Sequence, residues 1–415
     1  MARQAVEGTD GRGMVEVAIT GLGAGTPLGG DVASTWAAML AGESGVRVLD
    51  EDWSGELPVR IAARAAVDPA ASLTRVEARK LDRCEQFALV AAREAWGDAG
   101  APEVDGERLA VVIGTGVGGA VSLLTQDDVL EQAGARKVSP FAIPMLMPNG
   151  PAAWVSIELG ARGGARTPVS ACSSGAEAIA MGLDLIRLGR ADVVVAGGTE
   201  ACVAPLPMAG FAQMTALSKR NDEPELASRP FDVDRDGFVL GEGAAVVVLE
   251  RADRARARGV RVYAHLAGAG ITSNAGHITA SDADGQERAI RAALADAGLG
   301  PLDIGLVHAH ATSTPAGDVV EARVVADALG QHPVVTATKS MTGHLLGASG
   351  ALGALVTALA LHEGRAPAVR NLDRPDPEVK LDLVSGAPRH GEWRAALSNS
   401  YGFGGHNVSL VLAKA

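Results

Sequence analysis

Three cysteines in 415 residues, Cys84, Cys172 and Cys202, are too few, too scattered and of the wrong parity for a disulfide framework. They suit a reducing compartment. Basic residues are outnumbered: 37 Lys and Arg against 49 Asp and Glu leave a net charge of −12, which argues against a general nucleic-acid role. No Cys- or His-rich spacing of the zinc-binding kind occurs, and no bounded basic tract. The opening MARQAVEGTDGRGM is polar and lacks the apolar core of a signal peptide. Residues 1–13 read as a disordered lead-in, with Met14 as an alternative start. No uninterrupted apolar run reaches the roughly 18–20 residues of a membrane span, so a cytoplasmic location is expected.

What is present is a chain that is 47% hydrophobic, with 52 glycines and enough length for two or more domain-sized units. Short β-branched runs (VEVAITGLG, RLAVVIGTG, ADVVVAGGTEA, AAVVVLERA, GLVHAHA, HPVVTATKS, NVSLVLAKA) read as strands. KLDRCEQFALVAAREAWGDAG, SSGAEAIAMGLDLIRLGRA, GQERAIRAALADAGL and GALGALVTALALHEG read as helices. This alternation predicts an α/β fold with buried sheets. TPVSACSSGAEAIAMGLDLIRLG and TATKSMTGHLLGASGALGALVTALALH share one plan: strand, small-residue turn, long apolar helix. Two similar halves, 14–255 and 256–415, are therefore expected to meet near the Arg-rich stretch RADRARARGVRV. Facing each other, they would bring Cys172 and His344 into one cleft.

The reactive residues sit in these turns. Cys172 opens an Ala-rich helix, whose N–H groups and dipole are expected to lower its pKa from ~8.5 toward neutrality. His310 and His344 each end a strand, and imidazole N–H groups can donate to a thioester oxygen as charge builds there. A thiol with two separate histidines suits acyl transfer followed by chemistry on an enolate-like species. Lys339, in an apolar and hydroxyl-rich turn, needs a carboxylate partner, and Glu321, about three helical turns after His310, is the candidate. Cys84 and Cys202 read as core residues, and His277 is left open. GLGAGTPLGG lacks the full dinucleotide fingerprint, with Thr26 at the last Gly position and no acidic residue at the expected distance, so no nucleotide cofactor is expected. Phe403, flanked by Gly402 and Gly404, can complete an oxyanion hole and gate a tunnel.

ACSSG, ASRPFDVDRDGFVLGEGA, HATSTPAGD, TKSMTGHLLGASGA and NSYGFGGHN together resemble the elongating β-ketoacyl-acyl carrier protein synthases of type II fatty acid synthesis, the synthase II group in its actinobacterial branch. The similarity runs from about Val15 to the end. It implies a thiolase fold, with two βαβαβαββ-type halves in five α-β-α-β-α layers, working as a homodimer. Cys172 would take the acyl chain from acyl-ACP and condense it with malonyl-ACP. His310 and His344 would support malonyl decarboxylation, with Lys339 and Glu321 positioning His344. The N–H groups of Cys172 and Phe403 would form the oxyanion hole. Thr312 and Thr314 would hold the pantetheine arm, which the carrier protein brings as 4'-phosphopantetheine, so no resident cofactor is implied.

The same resemblance runs the acyl tunnel past Val117 to the partner subunit near Phe141 and Ala142. Ala142 stands where some relatives carry an aromatic, which implies a roomier tunnel end. Acidic carrier protein would dock on local basic clusters, by motif position Arg79 and Lys80, Arg136 and Lys137, and Lys219 and Arg220. Two departures stand out: Gly353 where relatives usually have Glu, and His308 in place of Asn. Gly353 weakens the case for a monovalent-cation site at Ser398 and Asn399. A polyketide ketosynthase would use the same residues. A degradative thiolase would need a second cysteine where Phe403 and His406 stand, and a non-catalytic chain-length partner would not need the four reactive residues.

Overall fold

The computed structural model describes residues 13–415; the lead-in expected over 1–13 lies outside the described residues but for its last position. Its β-branched runs leave no polar face for water, and they pair into one mixed sheet of eleven strands. In the N-terminal half these are β1 (Val17–Gly25), β2 (Leu109–Gly114), β3 (Ala165–Arg166), β4 (Val193–Glu200) and β5 (Gly243–Arg251), in spatial order β3-β2-β4-β5-β1. The C-terminal half holds β6 (Ala264–Ser273), β7 (Ile304–His308), β8 (Val334–Thr336), β10 (Ala395–Gly402) and β11 (His406–Lys414), in order β8-β7-β10-β11-β6. The short β9 (Asp382–Leu383) is added outside β8.

Leaving β9 aside, both halves run third-second-fourth-fifth-first, parallel across the first two joints and antiparallel across the last two. The faint sequence echo is thus a full topological repeat. The halves join where β1 meets β6 antiparallel, at Ala18–His265 and Ile19–Ala264.

Five helices position the rest: α1 (Arg83–Asp98), α2 (Ser174–Arg187), α3 (Ala283–Ala297), α4 (Pro315–Leu329) and α5 (Ser349–Glu363). The turns that hold Cys172 and His344 lead into α2 and α5, which are equivalent in the repeat and form the middle layer. A Cβ on Gly175 would lie 2.9 Å from the Ala351 Cβ, and one on Gly350 2.8 Å from the Ala176 Cβ, so only glycine allows this helix contact. The stretch Leu346–Glu363, which includes α5, is long and apolar enough to cross a membrane, yet Ser349 to Leu361 are buried within the protein.

Strand β5 shows why the runs are continuous rather than alternating. Its Ala245, Val247 and Leu249 pack toward the middle layer with Ile179, Leu183 and Leu355, while Ala244, Val246 and Val248 pack outward with Phe87, Ala91 and Ala95 of α1. Helices α3 and α4 cover the outer face of the other half against Val307, Leu397 and Val411. The order of layers is α-β-α-β-α. The GLGAG stretch lies in β1 rather than in a turn. Its Gly21 and Gly23 let α1 approach, since a Cβ on either would come within 2.2 Å of a helix carbonyl oxygen.

Candidate active site

The turn that holds Cys172 is built from short hydroxyl side chains. The N–H of Ser170 donates to Ser174 Oγ at 2.9 Å, and Ser174 Oγ donates to the Ala171 carbonyl at 2.7 Å. Ser173 Oγ reaches the Ser400 carbonyl, and Ser400 Oγ donates back to the Cys172 carbonyl, both at 2.9 Å. This lacing holds Ala171 at φ +51°, a left-handed conformation a non-glycine residue adopts only under constraint. It also draws β10 in so closely that a Cβ on Gly402 would sit 2.5 Å from the Ser170 carbonyl. The N–H groups of Phe403 and of Cys172 itself then reach the thiol.

The expected depression of the Cys172 pKa is overturned. Burial pushes the thiol up to about 11; the Lys339 charge and the two N–H groups pull the other way without winning, and Glu200 adds to the rise. The helix N-terminus is present, but desolvation is the larger effect in this enclosed site. Cys84 and Cys202 are core residues with no exposure.

His310 and His344 stand edge to face, ring centroids 5.4 Å apart. Burial pushes both well below the ordinary imidazole range, with Lys339 adding to the effect, so both rings are neutral. Ser349 Oγ meets His344 Nδ1 at 2.8 Å, which leaves Nε2 to face a ligand. The His344 ring also packs against Phe238 at 5.4 Å.

Lys339 and Glu321 act on His310, not on His344 as the resemblance implied. Glu321 accepts the N–H of His310 on one oxygen and that of Ala311 on the other, both at 2.7 Å, and Lys339 Nζ donates to the His310 carbonyl. The charges still feel each other: burial lowers the Lys339 pKa and raises that of Glu321, and each opposes the other's shift.

A cavity of about 550 Å³ joins these groups. Cys172, His310, His344, Thr312, Thr314, Phe403 and Val117 all line it. Phe211, Met214, Phe238 and Leu346 give it an apolar wall near the thiol. Thr312 Oγ1 and Thr314 Oγ1 are 3.1 Å apart. Phe141 and Ala142 do not line the cavity of their own chain; Phe141 lies under Lys80 Nζ at 5.5 Å. Of the remaining basic candidates Arg79, Arg136, Lys137 and Lys219 are exposed, whereas Arg220 is tied to the Asp234 carbonyl at 3.0 Å and to Glu223 at 3.8 Å. His277 is exposed, and its Nδ1 meets Thr279.

The two departures from the family pattern touch each other. A Cβ on Gly353 would lie 2.9 Å from His308 Nδ1 and 3.0 Å from Ser398 Oγ. The His308 ring therefore fills the room that any side chain at 353 would need, and its Nε2 bonds Thr338 Oγ1 at 2.9 Å. Asn399 is already engaged by Glu321 at 3.4 Å and by Ser409 at 2.8 Å. Among the described residues no group of three or more His, Cys, Asp or Glu is placed to hold a metal ion. Ser349, Phe238 and Glu200 escaped the sequence reading because nothing in their local pattern marks them.

Residues 14–255 match the β-ketoacyl synthase N-terminal domain and residues 263–373 its C-terminal domain. The chain belongs to the β-ketoacyl synthase family. It is 45% identical over 410 residues to the 3-oxoacyl-[acyl-carrier-protein] synthase 2 of Mycobacterium tuberculosis, covering 97% of this chain and 98% of that one. It is 43% identical over 406 residues to the enzyme of the same name from Synechocystis, with 96% and 98% covered. Among solved structures, a β-ketoacyl synthase from Burkholderia phymatum superposes with a TM-score of 0.90 at 34% identity, covering 96% and 99%. The ishigamide ketosynthase/chain length factor does so at 0.90 and 32%, covering 97% and 100%.

Proposed function

We infer that this protein is a 3-oxoacyl-[acyl-carrier-protein] synthase of fatty acid elongation, which condenses acyl-ACP with malonyl-ACP to give 3-oxoacyl-ACP, CO2 and free ACP. The observation that carries this reading is the convergence at one end of the cavity: the Cys172 thiol, two backbone N–H groups beside it, and two neutral imidazoles facing it.

Cys172 Sγ, once deprotonated, attacks the acyl thioester carbonyl. The tetrahedral oxygen is held by the N–H groups of Cys172 and Phe403, and the carrier-protein thiol leaves with a proton. Malonyl-ACP then enters past Thr312 and Thr314. Loss of CO2 leaves an electron pair on the thioester as an enolate, whose oxygen takes N–H donors from His310 and His344. Neutral rings suit this task, since the charge they stabilise appears only as CO2 departs. The enolate carbon attacks the Cys172 thioester, the new C–C bond forms, and Sγ is expelled. Lys339 and Glu321 hold the backbone of His310, and Ser349 orients His344.

The pantetheine arm belongs to the carrier protein, and the exposed Arg79, Arg136, Lys137 and Lys219 are the ones best placed to receive that acidic partner, with Lys80 half-buried over Phe141. The exposed Leu123, Ile143, Ile157 and Val169, together with the edge strand β3, support a homodimer. A second copy would bring Phe141 and Ala142 to the open apolar end of the cavity. The cytoplasm is the compartment that suits three free thiols. Identities of 45% and 43% to proteins named 3-oxoacyl-[acyl-carrier-protein] synthase 2, against 29% to the ketosynthase of a type II PKS complex, support the fatty acid reading.

Intact-protein mass after mixing with a mid-length acyl-ACP tests the reading, with Cys172→Ala alongside. An acyl adduct on the wild type alone, consumed on adding malonyl-ACP, is the expected result. No adduct would refute it.

A further inference from the structure

Glu200 ends β4 directly beneath the site, with no exposure to solvent. Its carboxylate accepts four hydrogen bonds. Oε1 takes Thr115 Oγ1 at 2.9 Å and the Val117 N–H at 3.2 Å; Oε2 takes the Gly116 N–H at 2.7 Å and the Gly347 N–H at 3.0 Å. Thr115 Oγ1 in turn accepts the Gly118 N–H at 3.0 Å. The donors come from two separate walls of the cavity: the turn 115–118, which presents Val117, and the turn after His344, which presents Leu346. The walls touch at this point, since a Cβ on Gly347 would lie 2.5 Å from the Gly116 nitrogen.

We propose that Glu200 is a positioning residue which fastens the acyl-binding wall at Val117 to the His344 turn, so that the fit of the acyl chain and the placement of His344 are set by one carboxylate. Only an acceptor with two oxygens can serve four donors here. An amide of the same shape would turn its own N–H groups against two of them. A carboxylate meeting this many donors without a cation is costly to bury, which favours a role in the site over a role in stability. The cost is visible in its ionisation: burial raises the group to about 7 against the pull of the four bonds.

The proposal rests on the condensing reaction, so the wild type serves as control: it must be acylated on Cys172 for the variants to be read. Glu200→Gln is compared with it by intact mass for acylation from hexanoyl-ACP and palmitoyl-ACP, and by CO2 release from malonyl-ACP. The variant is expected to stay folded by circular dichroism. Acylation should slow by roughly 10- to 100-fold, the scale of a small misplacement of reacting groups. The long-to-short chain ratio should change by several-fold, with CO2 release falling as well. A purely structural role would lower all three rates together and leave the ratio unmoved, and that outcome overturns the proposal.

Should Glu200→Gln fail to fold, Thr115→Val removes one donor and Thr115→Ser keeps it. A shifted chain ratio in the first and its return in the second supports the proposal. Equal ratios in both overturn it.

Discussion

Glu321 and Lys339 grip one residue from its two ends: the carboxylate holds the N–H of His310, and the ammonium holds its carbonyl oxygen. The pair fixes the backbone that aims the ring, while the ring's own Nδ1 has no partner. Replacing the lysine by an apolar side chain of similar length leaves the buried His310 carbonyl without its charged donor. Lys339→Met should therefore lose about 1–3 kcal/mol of stability, the usual effect of leaving a buried hydrogen-bonding group unsatisfied, and lose malonyl decarboxylation. Urea unfolding and CO2 release check this; an unchanged midpoint with unchanged CO2 release would show that Lys339 does not hold His310 in place.

The Cys172 thiol, raised to about 11, is protonated in the resting enzyme at neutral pH. Iodoacetamide should modify it slowly, with a rate that climbs about tenfold per pH unit between pH 7 and 9 as thiolate accumulates. Burial also raises Cys84 and Cys202 well above the ordinary thiol range, and with no exposure they should remain unlabelled in the native protein. A rate that levels off near pH 7 would mean that the helix N-terminus outweighs desolvation after all.

Much of this was legible from residues alone. The β-branched runs such as AVVIG and VVVAG became strands, and the four helices read from periodicity formed as α1, α2, α3 and α5, whereas α4 was not foreseen. The AHLAGAGITS strand, β6, was not foreseen, because alternating Gly and Ala carry little strand propensity. It exists because β1 and β11 flank it and α3 lies over Gly268 and Gly270, where a Cβ would strike the helix backbone within 2.6 Å. The reactive residues were legible because turn chemistry and family motifs mark them. What each one touches was not, since contacts such as Glu321 to His310 or Ser349 to His344 are decided by packing across the fold.

His308 and Gly353 form a size exchange that a double mutant can expose. Gly353→Ala places a methyl 2.9 Å from the imidazole and 3.0 Å from Ser398 Oγ. It should lose about 1–3 kcal/mol, as overpacked core sites do. Combined with His308→Asn, most of that loss should be recovered. Additive losses in the cycle would show that the two positions do not compete for the same space.

The same histidine predicts a pH effect of known sign. Burial, helped by Lys339, lowers His308 to about 3 from 6.5. Below pH 6.5 the unfolded chain takes up this proton while the native state refuses it. The stability His308 permits is thus complete above pH 6.5 and is lost as pH falls. Relative to the wild type, His308→Asn should gain about 1.4 kcal/mol per pH unit from 6.5 down to 5. Chemical denaturation of both proteins across that range measures it, and a constant difference would refute the lowered value.

The contact of Gly175 with Ala351, mirrored by Gly350 with Ala176, places a local twofold axis through the middle of the molecule. The two halves repeat one strand order around that axis, and each carries an equivalent turn, one holding Cys172 and the other His344. Neither half holds a complete site, so the enzyme is indivisible in function even though its architecture is written twice.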